Sequence, residues 1–119
     1  MSLFRRLALA MSALAFSTCL ANASTCYVSE FAAVGDSLVQ VAKQPASADQ
    51  APISVSGSSA QSAAFGSATR YVRLNCDVVV SFVFGSSPTA TTNNARLPAN
   101  AVEYFQVTGG QKLAVISNN

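Results

Sequence analysis

The side chains of this chain that could do chemistry are three cysteines and five acids, and histidine is absent. Without histidine the commonest general base and the commonest zinc ligand are both missing, and serine triads of the usual kind are excluded. The acids Glu30, Asp36, Asp49, Asp77 and Glu103 stand singly in separate segments, without the local clustering of a calcium loop. A glycosidase needs two carboxylates facing each other across a cleft. Asp77 and Glu103 are the one pair worth weighing, and each reads more simply as an outward residue on a half-exposed strand. There is no glycine-rich phosphate loop and no CxxC, and Cys76 has no histidine to activate it as a nucleophile. The residues therefore argue against an enzyme, and no cofactor or metal site is expected.

Cysteine and charge usage depend on the first 23 residues. Arg5 and Arg6 precede an apolar run from Leu7 to Leu20, followed by Ala21-Asn22-Ala23, the small-x-small pattern of a signal-peptidase site. The run is shorter than the roughly 17 residues needed to cross a bilayer, so it reads as an apolar signal-like helix cleaved before Ser24, not as a stable membrane insertion. A single domain over 24–119 remains. It is neutral: Lys43, Arg70, Arg73, Arg96 and Lys112 balance the five acids. A nucleic-acid binder carries a clustered basic excess, so nucleic acid is discounted as a partner. Cys26 and Cys76 are the cysteines of this domain. In an exported protein they could form one bridge, worth about 4 kcal/mol in the chain-entropy model. Alternatively both are small buried apolar residues, which suits Cys76 on the inward set of its strand.

These groups are positioned by segments with the two-residue period of strands. The longest is Arg70 to Gly85, where Val72, Leu74, Cys76, Val78, Val80, Phe82 and Phe84 occupy alternate positions opposite Arg73, Asn75, Asp77 and Ser81. Val79 and Val83 make its second half apolar on both sides, as in a strand deeper in a sheet or one continuing across a bend. Cys26–Val34, Leu38–Lys43 and Pro52–Ser56 read as shorter strands, and 44–51 as a loop. Residues 58–66 read as strand or coil, because Phe65 alone gives no face wide enough for a helix. Gly85–Ala99 has the composition of an exposed loop, and loops of that length are usually functional or mobile. Val102–Thr108 and Gln111–Ser117 flank Gly109-Gly110 and predict a hairpin pairing Val107 with Leu113 and Phe105 with Val115. The fold expected is all-β, a small antiparallel β-sandwich or jelly-roll-like domain of seven or eight strands.

Low charge and abundant small residues suit a surface that packs against other proteins. From residue 58 to 116 the chain also resembles small proteins encoded in the virion-structure regions of tailed phages and prophages. The resemblance rests on SAQSAAFG at 59–66, RYVRL at 70–74, FGSSPTAT at 84–91, LPAN at 97–100 and VTGGQKLAVIS at 107–117, with CYVSEF at 26–31 like the usual opening of such proteins. It implies a non-enzymatic virion component of the capsid decoration or cement kind. Its partners would be proteins, either a capsid lattice or further copies, met through Thr91, Asn93, Asn94 and Arg96 of the 85–99 loop. Proteins of that group begin near CYVSEF and assemble in the cytoplasm, where neither a secretion signal nor a stable disulfide is expected. The leader points instead to a periplasmic or secreted β-domain that binds a protein or glycan. Localisation is accordingly the virion if the leader is not made, and the periplasm or medium if it acts.

Overall fold

Apolar side chains at alternate positions leave one face of an extended segment that water solvates poorly, and burying that face is what joins strands into layers. The computed structural model of the chain describes residues 23–35 and 42–119. The leader expected over 1–23 lies, apart from Ala23, outside the described residues, as does most of the strand expected over 38–43.

The described residues contain nine strands and no helix: β1 (Thr25–Phe31), β2 (Ala48–Asp49), β3 (Ile53–Ser54), β4 (Ala60–Gln61), β5 (Tyr71–Cys76), β6 (Val80–Gly85), β7 (Ala95–Leu97), β8 (Val102–Gln106) and β9 (Lys112–Ser117). Every pairing is antiparallel. One sheet runs β2-β1-β5-β8 with β3 also on β1, and the other runs β4-β9-β6-β7. The count exceeds the seven or eight expected because three of the strands are only two residues long.

The inner faces of both sheets meet in a single core. Cys26, Val28, Val72, Leu74 and Cys76 come from the first sheet, and Val80, Phe82, Leu97, Leu113 and Val115 from the second. Phe105 of β8 reaches across to Phe82 and Phe84 of β6, with ring centroids 5.0 and 5.3 Å apart. Fully burying one such side chain contributes roughly 1.5–3 kcal/mol, so this layer is the main source of stability.

Three expectations are corrected. Arg70–Gly85 is not one strand: it breaks at Asp77–Val79, and its halves lie in different sheets. The corner is held from both sides, since Asp77 N–H donates to Thr25 C=O at 3.1 Å and Asn118 N–H donates to Val79 C=O at 3.0 Å. Inward parity nevertheless survives the corner, with Val72, Leu74 and Cys76 before it and Val80 and Phe82 after it all buried.

The second correction concerns Gly109-Gly110, which does not close a hairpin. β8 pairs with β5 and β9 with β6, so the turn carries the chain from one sheet to the other. Faces were readable because alternation reports them; partners were not, because a hairpin and a sheet-to-sheet corner both need the same reversal. Gly109 fits here for a steric reason. A Cβ on it would lie 2.7 Å from the carbonyl oxygens of Gly66 and Ser67.

Residues 85–99 are likewise not a free loop. β7 lies within them and pairs with β6, Ser81 opposite Arg96.

Candidate functional site

Residues 86–94 are tied across the outer face of the second sheet. Gln61 Nε2 donates to Pro88 C=O at 2.7 Å, Ala90 N–H donates to Ser59 Oγ at 2.8 Å, and Asn118 Nδ2 donates to Ser81 Oγ at 2.7 Å and to Thr92 C=O at 3.2 Å. Register places Ser81 and Ala114 on that outer face, yet both are fully buried, which shows how closely the face is covered. Of the four residues singled out in the sequence, the structure brings two together. Asn94 Oδ1 accepts from Thr91 N–H at 2.7 Å and from Thr91 Oγ1 at 3.3 Å, while Asn94 N–H returns a bond to Thr91 C=O at 3.0 Å. This small side-chain-to-backbone turn fixes its own shape without help from water. Asn93 is exposed at the turn, and Arg96 stands exposed on β7 two residues beyond it. The segment thus presents hydroxyl, amide and guanidinium groups on a backbone already held in place.

The outer face of the first sheet is uncovered over most of its width. Its cross-strand rows are Tyr27–Asn75–Val102, Ser29–Arg73–Tyr104 and Phe31–Tyr71–Gln106. Tyr27, Val102 and Tyr104 are 50%, 44% and 52% exposed, and they are the large apolar side chains that stand out from the described surface. Phe31 lies on the same face but is buried; its ring meets that of Tyr104 at 6.0 Å. A cleft of about 350 Å³ opens here, lined by Ser29, Phe31, Pro45, Asp49, Arg73 and Tyr104 among others. The Ser29 hydroxyl donates to the Asp49 carboxylate. Tyrosine and arginine with one acid give a surface that can bury apolar area while offering hydrogen bonds, the composition enriched in protein contacts.

Two polar features lie inside. Cys26 and Cys76 are joined by a disulfide, directly opposite each other on β1 and β5 with Cα atoms 4.1 Å apart. Glu30 is 4% exposed, and its Oε1 accepts from Gly66 N–H and Thr69 Oγ1 at 2.7 Å each, while Oε2 accepts from Gln50 Nε2 at 3.2 Å. Sequence reading missed this acid, although a signal existed: Glu30 shares parity with Cys26 and Val28, the inward set of β1. Its bonds organise the 66–69 turn and are structural. Asp77 and Glu103 are both exposed; the first accepts from Thr25 N–H at 2.7 Å, and the second stands on β8 opposite Leu74. Among the described residues no group of three potential ligands could hold a metal ion, and no helix is long and apolar enough to cross a membrane.

Compared with protein-family models, with curated proteins and with solved structures, the chain matches none.

Proposed function

We propose that this chain is a non-enzymatic virion structural protein of the capsid decoration or cement kind, a β-sandwich that binds an assembled lattice through residues 91–96. The observation that carries the reading is the pinned 86–94 segment. Its backbone is anchored to Ser59, Gln61 and Asn118, yet the side chains of Thr91, Asn93 and Arg96 remain exposed. A contact surface already rigid loses little conformational entropy on docking, which suits a protein that must add to many equivalent lattice sites. The neutral charge balance and small side chains of the domain agree with this, because such surfaces cost little to desolvate. The resemblance at SAQSAAFG, RYVRL, FGSSPTAT, LPAN and VTGGQKLAVIS supports the same role. Co-sedimentation with purified particles tests it: the protein is expected in the particle band, and its absence from particles overturns the reading.

The Cys26–Cys76 disulfide favours a second reading, an exported binding module whose partner is a protein or glycan. Stable disulfides form in oxidising compartments and are rare in the cytosol, where virion components of the first kind assemble. An exported module is expected in the periplasmic or culture fraction with Ser24 as its first residue. N-terminal sequencing and cell fractionation of the expressed protein separate the two readings.

A further inference from the structure

We infer that the free edge of β8 is a self-pairing edge, at which two copies of this chain join their first sheets into one continuous antiparallel sheet. The starting observation is which backbone groups point where. Val107 N–H donates to Arg70 C=O at 2.8 Å, toward β5. Antiparallel strands alternate in this respect, so Glu103 and Phe105 also face β5, while Val102, Tyr104 and Gln106 turn their N–H and C=O groups outward. Among the described residues no hydrogen bond reaches any of these outward groups. β8 ends its sheet, and Val102, Glu103, Tyr104 and Gln106 are all exposed.

The remaining outer strands are shielded in the ordinary way, by brevity. β2 and β4 are two residues long and β7 is three. β8 is five residues long, with no proline, lysine or bulge; its one charged residue, Glu103, stands opposite Leu74, and among the described residues the strand carries two of the three exposed large apolar side chains. An edge of this length and composition templates another strand unless something occupies it.

Charge and register select a second copy as that occupant. With Tyr104 on a two-fold axis, Tyr104 faces Tyr104, and Val102 faces Gln106 of the other copy. All three outward-facing residues then exchange both backbone groups. Glu103 meets Phe105, so the two carboxylates are not opposed. Moving the axis one residue toward the N-terminus sets Glu103 against Glu103, a like-charge pair that is unfavourable across strands. Moving it the other way leaves Val102 beyond the paired stretch. The preferred register also extends the Ser29–Arg73–Tyr104 row of the outer face, so that two tyrosines lie side by side with an Arg73 at each end. Aromatic cross-strand pairs are favourable, and the neutral domain does not repel its copy.

The test is the solution mass of the protein recovered on expression of the full chain, followed by sedimentation across a dilution series. A dimer that dissociates on dilution is expected, and Tyr104→Lys, which places two ammonium groups at the axis, is expected to weaken it by about tenfold or more. Tyr104→Cys is expected to form a covalent dimer under oxidation far faster than Glu103→Cys, whose copies are offset along the strands, and this comparison still decides the matter should Tyr104→Lys fail to fold. A monomer at every concentration overturns the inference. So does a dimer indifferent to Tyr104→Lys, or equal cross-linking at the two positions, or a β8 edge protected only when an extended segment of a different chain is present. None of these outcomes depends on particle association, so this inference and the proposed function fail separately.

Discussion

Replacing Gly109 by alanine is expected to be among the most damaging single-methyl changes available to this protein. The added Cβ would sit 2.7 Å from Gly66 C=O and Ser67 C=O and 2.8 Å from Ser67 Cα. All three contacts are backbone atoms, so no side chain can swing away. Either the sheet-to-sheet turn or the 66–69 turn must shift, and the second is anchored by Glu30 through Gly66 N–H and Thr69 Oγ1. Overpacking of this kind costs about 3 kcal/mol. Gly57 is the control, since nothing lies within 4 Å of its added Cβ, and Gly57→Ala is expected within about 0.5 kcal/mol of the parent. Gly110 tests a different cause: it has open space but a φ of +86°, so Gly110→Ala should cost roughly 1–2 kcal/mol through backbone conformation alone. Equilibrium urea unfolding under non-reducing conditions reads all three. At a slope of about 1.5 kcal/mol per molar, Gly109→Ala lowers the midpoint by about 2 M. A Gly109→Ala midpoint matching that of Gly57→Ala would refute the reasoning, and with it the close approach of these two turns.

Further outcomes follow from other parts of the fold. Reducing the Cys26–Cys76 bond, which spans 50 residues, should lower unfolding free energy by about 4 kcal/mol in the chain-entropy model, measured as paired denaturation curves with and without reductant. Glu30→Ala strands the Gly66 and Thr69 donors and should cost about 2–4 kcal/mol, with faster hydrogen exchange at the Gly66 amide than at amides of β9. Arg96→Ala and Asn93→Ala change exposed side chains, so they should leave the melting temperature within about 2 °C of the parent while reducing co-sedimentation with particles. Asn94→Ala should lower both the melting temperature and the co-sedimentation, because its Oδ1 holds the Thr91 turn.

Alternation made the strands and their buried faces legible. Val72, Leu74, Cys76, Val80, Phe82, Leu113 and Val115 all lie where a two-residue period places them. Sheet membership was not legible, because period reports orientation and carries no information about the neighbour. Thus the corner at Asp77–Val79 is invisible in a run of valines, and Gly109-Gly110 looks the same whether it closes a hairpin or crosses a core. Glu30 was legible in principle by parity, but a charged residue on an inward set is easily read as a strand near its end. The candidate contact segment was located by composition, whereas its rigidity depends on partners such as Ser59, 31 residues from Ala90 in the chain. No local pattern contains that distance. The outer face of the first sheet was hidden for the same reason: Tyr27, Arg73 and Tyr104 become neighbours only when three distant strands are laid side by side.

The placement of β9 has a consequence for how the molecule is made. β9, which follows every other described strand in the chain, is an inner member of the second sheet, holding β4 on one side and β6 on the other. Of the three longest ladders, β1 with β5, β5 with β8 and β6 with β9, none joins strands consecutive in the chain, and such topologies fold slowly. Nascent chains must therefore wait for Lys112–Ser117 before Phe82, Phe84 and Phe65 can be sealed from water. Any stop codon that removes Lys112–Ser117 leaves β4 and one edge of β6 without a partner, and yields a sticky half-molecule in place of a shortened working protein.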